Sequence, residues 1–224
     1  MKTLTIFGDS ILFGIITNEH GKYLKDKDFD PRKIAENYGI DLLNLSQMGR
    51  NSREGVKIVE DYISTHGAPQ YAIIEFGGND ANHNWIKIGQ DPSVGEPKIP
   101  REEFEENLKT MANLLRKNGT KIAFMNLPPL ISEPFFDFVA KTDEAKKNVL
   151  TFLGDKDKIY RVHEEYNRIV EKVAKDLDAP LIDARSPFLE ALNIHNLVCM
   201  DGCHPSPLGH ELIAKELEKY FKTI

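Results

Sequence analysis

Leu4-Thr5-Ile6-Phe7-Gly8-Asp9-Ser10 opens the chain with an apolar run that breaks into a turn and stops on a hydroxyl. A short apolar run bounded by turn residues reads as a strand buried on both faces. Ser10 then lies just past a strand's carboxyl end, where open α/β sheets form their binding crevice. On its own Gly-Asp-Ser reads first as a turn, because Gly and Asp favour turns. A catalytic reading requires more: a base, a group that orients the base, and donors for a developing negative charge.

The same strand signal recurs at 42–45, 71–76, 121–127 and 181–183, and Pro128-Pro129 ends the fourth run. Helical periodicity fills the gaps. Over 52–64 it sets Val56, Val59 and Ile63 near one face. Over 101–117 it does the same for Phe104, Leu108, Met111 and Leu115, with Gly119 as the stop. Two further helices are expected over 159–177 and 208–221. Alternating strands and helices predict a parallel sheet with helices on both faces, joined by right-handed crossovers. The expectation is one domain over 1–224 with two loop insertions, 81–100 and 128–156. Insertions of that length are either surface excursions or the walls of a site. His83 and Trp85 are expected to shape one wall, and Phe135, with Phe136 and Phe138, another.

Composition narrows the classes. The chain has 224 residues, 41% hydrophobic, and a net charge of −6. Basic residues are spread among acidic ones, which argues against a nucleic-acid surface. No apolar run approaches the ~20 residues of a membrane span. Asp9 interrupts the apolar stretch of residues 1–16 and no small-residue cleavage site follows, so a cytoplasmic location is expected. Cys199 and Cys203 form no disulfide framework and are too few for a zinc site. Oligomeric state is not legible.

Four segments carry polar groups suited to acyl transfer. Ser10 offers the nucleophile, Gly49 follows the second strand, Gly77-Gly78-Asn79-Asp80 follows the third, and Asp201-Gly202-Cys203-His204-Pro205 precedes the last helix. A serine needs a base within reach, and histidine titrates near neutrality. Asp201, three residues before His204, can fold back onto the far ring nitrogen and stabilise the imidazolium. The N–H groups of Ser10 and Gly49 and the Asn79 amide suit an oxyanion. Asp9 and Asp80 are expected to brace their loops through backbone N–H groups.

Taken together, Phe7-Gly8-Asp9-Ser10, Gly49, Gly77-Gly78-Asn79-Asp80 and Asp201-Gly202-Cys203-His204-Pro205-Ser206 resemble the four signature blocks of the SGNH/GDSL hydrolases, in the family's order. The resemblance implies a serine esterase or acylhydrolase on a flavodoxin-like, three-layer α/β/α fold with a five-stranded parallel sheet. It implies Ser10 as nucleophile, His204 as base, Asp201 as its orienter, and an oxyanion hole from Ser10, Gly49 and Asn79. No metal or organic cofactor is implied. The expected substrate is a small-molecule, lipid or carbohydrate ester. An acyltransferase would use the same residues. A metal-dependent phosphoesterase would need several more His and Asp ligands. A non-catalytic anion-binding module fits poorly with Asp9 in the first loop.

Overall fold

Alternation along the strands divides the apolar side chains between two faces of one sheet. The computed structural model describes residues 2–224. In chain order, β1 (Lys2–Gly8) leads into a single helical turn, α1 (Ser10–Phe13), and a hairpin of β2 (Ile15–Thr17) and β3 (Tyr23–Lys25). Then come α2 (Pro31–Glu36), β4 (Ile40–Asn44), α3 (Ser52–His66), β5 (Tyr71–Glu75) and α4 (Gly78–Ala81). These are followed by α5 (Trp85–Gln90), α6 (Arg101–Lys117), β6 (Lys121–Met125), α7 (Ser132–Val139) and α8 (Asp143–Leu153). The chain closes with α9 (Lys158–Asp176), β7 (Leu181–Ile182), α10 (Ser186–Leu189) and α11 (Pro207–Phe221).

The sheet is five-stranded and parallel, in the order β4-β1-β5-β6-β7. Leu4 pairs with Leu42 on one side and Tyr71 on the other, which sets the register of the central strand. Leu4, Ile6, Ile73 and Met125 face a core closed by Phe188 of α10 and Ile213 and Leu217 of α11. Phe7, Ile74 and Phe124 face the opposite core, closed by Val59 of α3, Leu108 and Met111 of α6, and Val170 of α9. The result is the expected three-layer α/β/α arrangement. β6 stops at Met125, short of the expected 127. Past it the Asn126 side chain bonds to Asp183 and to the Arg185 N–H, and the Leu127 N–H turns to Asn167.

The two expected insertions are not loops. They hold α5, α7 and α8, which pack into a third core of Ile88, Leu130, Phe136, Val149, Leu153 and Ile159. Phe136, expected in the wall of a site, belongs to this core instead and is 3% exposed. No described helix is long and apolar enough to cross a membrane.

Candidate active site

β1 lies centrally, with β4 on one side and β5 on the other. The first crossover therefore runs one way and the second reverses it. Ligands bind at such switch points, outside the strands' carboxyl ends. The Ser10 and Asn79 loops both start there, after β1 and β5. Ser10 begins α1, where the Asp9 carboxylate accepts the Ile11 N–H (3.0 Å) and Gly14 ends the turn at φ 84.

The last of the four segments reaches Ser10 from 194 residues away. His204 Nε2 lies 3.0 Å from Ser10 Oγ, and His204 Nδ1 lies 2.6 Å from Asp201 Oδ2. Asp201 is fully buried, and each of its oxygens is occupied. Oδ1 accepts the N–H groups of Cys203 and His204, both at 3.1 Å, while Oδ2 also accepts the Thr17 hydroxyl. Burial alone would raise the Asp201 pKa, but the His204 and Thr17 contacts outweigh it and hold it below the ordinary value. Burial likewise opposes the His204 imidazolium, yet the His204 pKa stands well above the usual histidine value, with Cys203 and Asp201 as the neighbours that raise it. Cys203, 3.5 Å from Nδ1, is itself a buried thiol pushed up by desolvation, so it stays protonated near neutrality. We therefore attribute the raised value to the Asp201 charge. Tyr23 presents its ring to the His204 ring, with centroids 5.3 Å apart.

Gly202 is required by the turn that brings Asp201 onto His204. It holds φ +74, and a Cβ there would lie 2.4 Å from the Phe135 nitrogen and 2.7 Å from the Ile131 carbonyl. Gly202→Ala is expected to cost at least ~1–3 kcal/mol from backbone strain. It would read as a lower urea midpoint with an unchanged slope.

Gly49 adopts φ +81, and Gly49, Asn79 and Ser10 line one cavity with His204. Neither the Ser10 nor the Gly49 N–H donates to a protein acceptor among the described residues. Asn79 donates one amide N–H to Asp9 Oδ2 (3.1 Å), and an amide carries a second. Asp9 and Asp80 brace their loops as expected, Asp80 by accepting the Ser52 N–H at 3.0 Å at the start of α3. That helix also carries a full capping box, Asn51 with Glu54. Burial lifts both Asp9 and Asp80 to about 6.

Thr17, Tyr23 and Glu75 escaped the sequence reading. Glu75 ends β5, fully buried, and its Oε2 accepts the Asp9 N–H at 3.1 Å. Burial, then the nearby Asp9, raises the Glu75 pKa well above the carboxylate range. Its signal was available, as an acid inside the apolar run Tyr71-Ala72-Ile73-Ile74-Glu75-Phe76. Thr17 and Tyr23 sit on a hairpin of three-residue strands, too short to show a period. His83, Trp85, Phe135 and Phe138 all line the cavity, whose volume is about 190 Å³. The Trp85 indole N–H is fixed on Asn82 at 2.6 Å, and its ring meets Phe135 edge-on at 5.8 Å. His210, beyond the site, is buried, paired with Asp26 at 2.9 Å and stacked on Phe29.

A serine, a histidine and a buried carboxylate in line, beside unpaired N–H groups at a sheet's switch point, define an arrangement suited to acyl transfer. The chain belongs to the GDSL-like Lipase/Acylhydrolase family, which matches residues 6–212. It is a carboxylic ester hydrolase. Among its relatives is the uncharacterized lipoprotein YqeF of Bacillus subtilis (strain 168), 26% identical over 83% of this chain and 75% of that protein. The GDSL esterase/lipase CPRD49 of Arabidopsis thaliana is 24% identical over 81% of this chain and 66% of that protein. The fold is shared with the lipase/acylhydrolase of Enterococcus faecalis, at TM-score 0.72 and 17% identity, covering 100% of this chain and 96% of that one.

Proposed function

We propose that the protein cleaves small-molecule carboxylic esters through an acyl-Ser10 intermediate. The observation that carries this reading is the unbroken line Ser10 Oγ, His204 Nε2, His204 Nδ1, Asp201 Oδ2, with steps of 3.0 and 2.6 Å. His204 takes the hydroxyl proton as Ser10 Oγ bonds to the ester carbonyl carbon, and Asp201 stabilises the imidazolium. The carbonyl oxygen takes the negative charge, received by the N–H groups of Ser10 and Gly49 and the free N–H of Asn79. As the carbon–oxygen bond to the alcohol breaks, His204 gives the proton to the departing oxygen. Water then enters, loses a proton to His204 and attacks the acyl carbon. The tetrahedral state collapses to the free acid, and Ser10 regains its proton.

Asp9 gives Asn79 its aim, since one amide N–H is spent on the Asp9 carboxylate. Burial and the nearby Asp9 push the Glu75 pKa well above the ordinary carboxylate value, which disfavours a negative charge on that acid. An alkyl fluorophosphonate tests the assignment. It is expected to add one phosphonyl group, located by mass spectrometry on the peptide holding Ser10, and to stop ester hydrolysis in proportion. Full inactivation with the label on another residue would overturn it.

A further inference from the structure

The wall of the cavity is mostly apolar, with Leu127, Leu130, Phe135, Leu153 and Val162 among its residues. Into that wall the fold sets an uncharged histidine. His163 lies on the buried stripe of α9 with Ile159, Tyr166, Val170 and Val173. It is 8% exposed, lines the cavity, and its Nδ1 has no hydrogen-bond partner among the described residues. Burial, reinforced by the charge of Arg185, pushes its pKa down to about 3. Arg185 is itself fixed, donating to the Leu127 carbonyl (3.0 Å) and the Tyr160 hydroxyl (2.8 Å) and pairing with Glu164. His163 is therefore a neutral imidazole, with one N–H donor and one nitrogen acceptor.

A buried polar group without a partner is costly, and native proteins leave few of them. The other polar side chains on the buried α9 stripe are satisfied: the Tyr166 hydroxyl donates to the Ile99 carbonyl, and Asn167 accepts the Leu127 N–H and donates to Glu171. An aliphatic side chain at this position would complete the core without that cost. The same cavity is lined by His83, whose Nδ1 is also unpartnered and whose pKa burial lowers to about 4. Two neutral imidazoles set among the apolar residues of this wall suit a ligand that brings an uncharged hydrogen-bonding group. An alkyl chain in the same space would leave them unpaired.

We propose that His163 is a specificity-determining residue that pairs with an uncharged hydroxyl on the ester occupying the cavity, so that the protein prefers hydroxylated esters to alkyl ones. This rests on the assignment of Ser10 as nucleophile. A site built to bond a hydroxyl rejects the analogue lacking it, because its own polar group is then stranded. The hydroxyl can sit on either side of the scissile bond, and two substrate pairs separate these cases. The acyl arm compares p-nitrophenyl 3-hydroxybutyrate with p-nitrophenyl butyrate. The alcohol arm compares glycerol monoacetate with propyl acetate.

The expected result is a kcat/KM ratio of about tenfold or more in favour of the hydroxylated member in one arm, equivalent to about 1.4 kcal/mol. His163→Leu is expected to bring that ratio close to one, and His163→Gln, which keeps a donor and an acceptor, to retain part of it. Equal kcat/KM for both members of both pairs in the unmodified protein overturns the proposal whatever the variants do, as does a ratio that His163→Leu leaves unchanged. In those cases the reading of Ser10 stands. Failure of the unmodified protein to hydrolyse any of the four esters overturns that reading and this proposal together.

Discussion

Ser10→Ala is expected to lower kcat on a simple ester by a factor on the order of 10⁶, with His204→Ala and the double variant losing no more. The expectation follows from geometry. Ser10 Oγ and His204 Nε2 are 3.0 Å apart, and in the proposed reaction each is useless without the other. A serine hydroxyl is a weak nucleophile near neutrality, and among the described residues Ser10 carries the one side-chain hydroxyl hydrogen-bonded to His204 Nε2. The two losses must therefore overlap instead of multiplying. What remains comes from binding and from the donors at Gly49 and Asn79, which still receive charge when water attacks unaided. Removing Ser10 Oγ breaks no other hydrogen bond among the described residues, so the circular dichroism spectrum and urea midpoint should hold. The check is kcat for the three variants under saturating ester. Losses that multiply would mean the two residues act separately.

The fold was legible because its strands are buried on both faces and its long helices are amphipathic. Leu4 to Phe7 and Tyr71 to Phe76 are short apolar runs bounded by turn residues, which suit covered strands. The stripe Phe104, Leu108, Met111, Leu115 places α6 within its observed bounds, Arg101–Lys117. The helices inside 81–100 and 128–156 were missed for local reasons. α5 is six residues long, and α7 carries Pro134 in its first turn, where proline is tolerated but reads as a breaker. α8 offered a clear start, Thr142 ahead of Asp143-Glu144, with the Thr142 side chain accepting the Ala145 N–H. It was obscured by the double proline that opens the segment. α2 was not expected either, although its start carries Asp30-Pro31, an N-cap followed by a proline in the first turn.

The groups proposed to react were legible because each occupies a loop whose residue types have few other uses in that combination. Their supports were not. Thr17 reaches Asp201 across 184 residues through a hairpin with no sequence period, and nothing local predicts that contact. Glu75 and His163 were visible only as polar residues inside apolar patterns. That signal marks a position as unusual, but it does not name the partner. The Asn79 amide was expected as an oxyanion donor, and the sequence did not reveal that one of its two N–H groups is committed to Asp9.

Asp201→Asn is expected to lower kcat by about 10⁴ and to move the acid limb of the pH profile downward. The two carboxylate oxygens are not equivalent. Oδ1 is held by two backbone N–H groups, Cys203 and His204, which cannot rotate away. An amide placed here keeps its carbonyl oxygen at that position and turns its NH₂ toward His204 Nδ1 and Thr17. The Thr17 hydroxyl can rotate to accept. His204 Nδ1 can accept only by moving its proton to Nε2, and that tautomer presents N–H to Ser10 and has no lone pair to take the proton. The pH shift has an independent cause. In the native protein His204 must be neutral to act as base, so kcat/KM rises with pH through a value well above the ordinary histidine range of 6.5. The Asp201 charge holds the value there against burial. Removing the charge leaves burial unopposed, and the midpoint falls below that of the unmodified protein. A pH series of kcat/KM for both forms reads the two effects separately. A 10⁴ loss with an unmoved midpoint would place the role of Asp201 in ring orientation alone, and a moved midpoint with little loss would place it in charge alone.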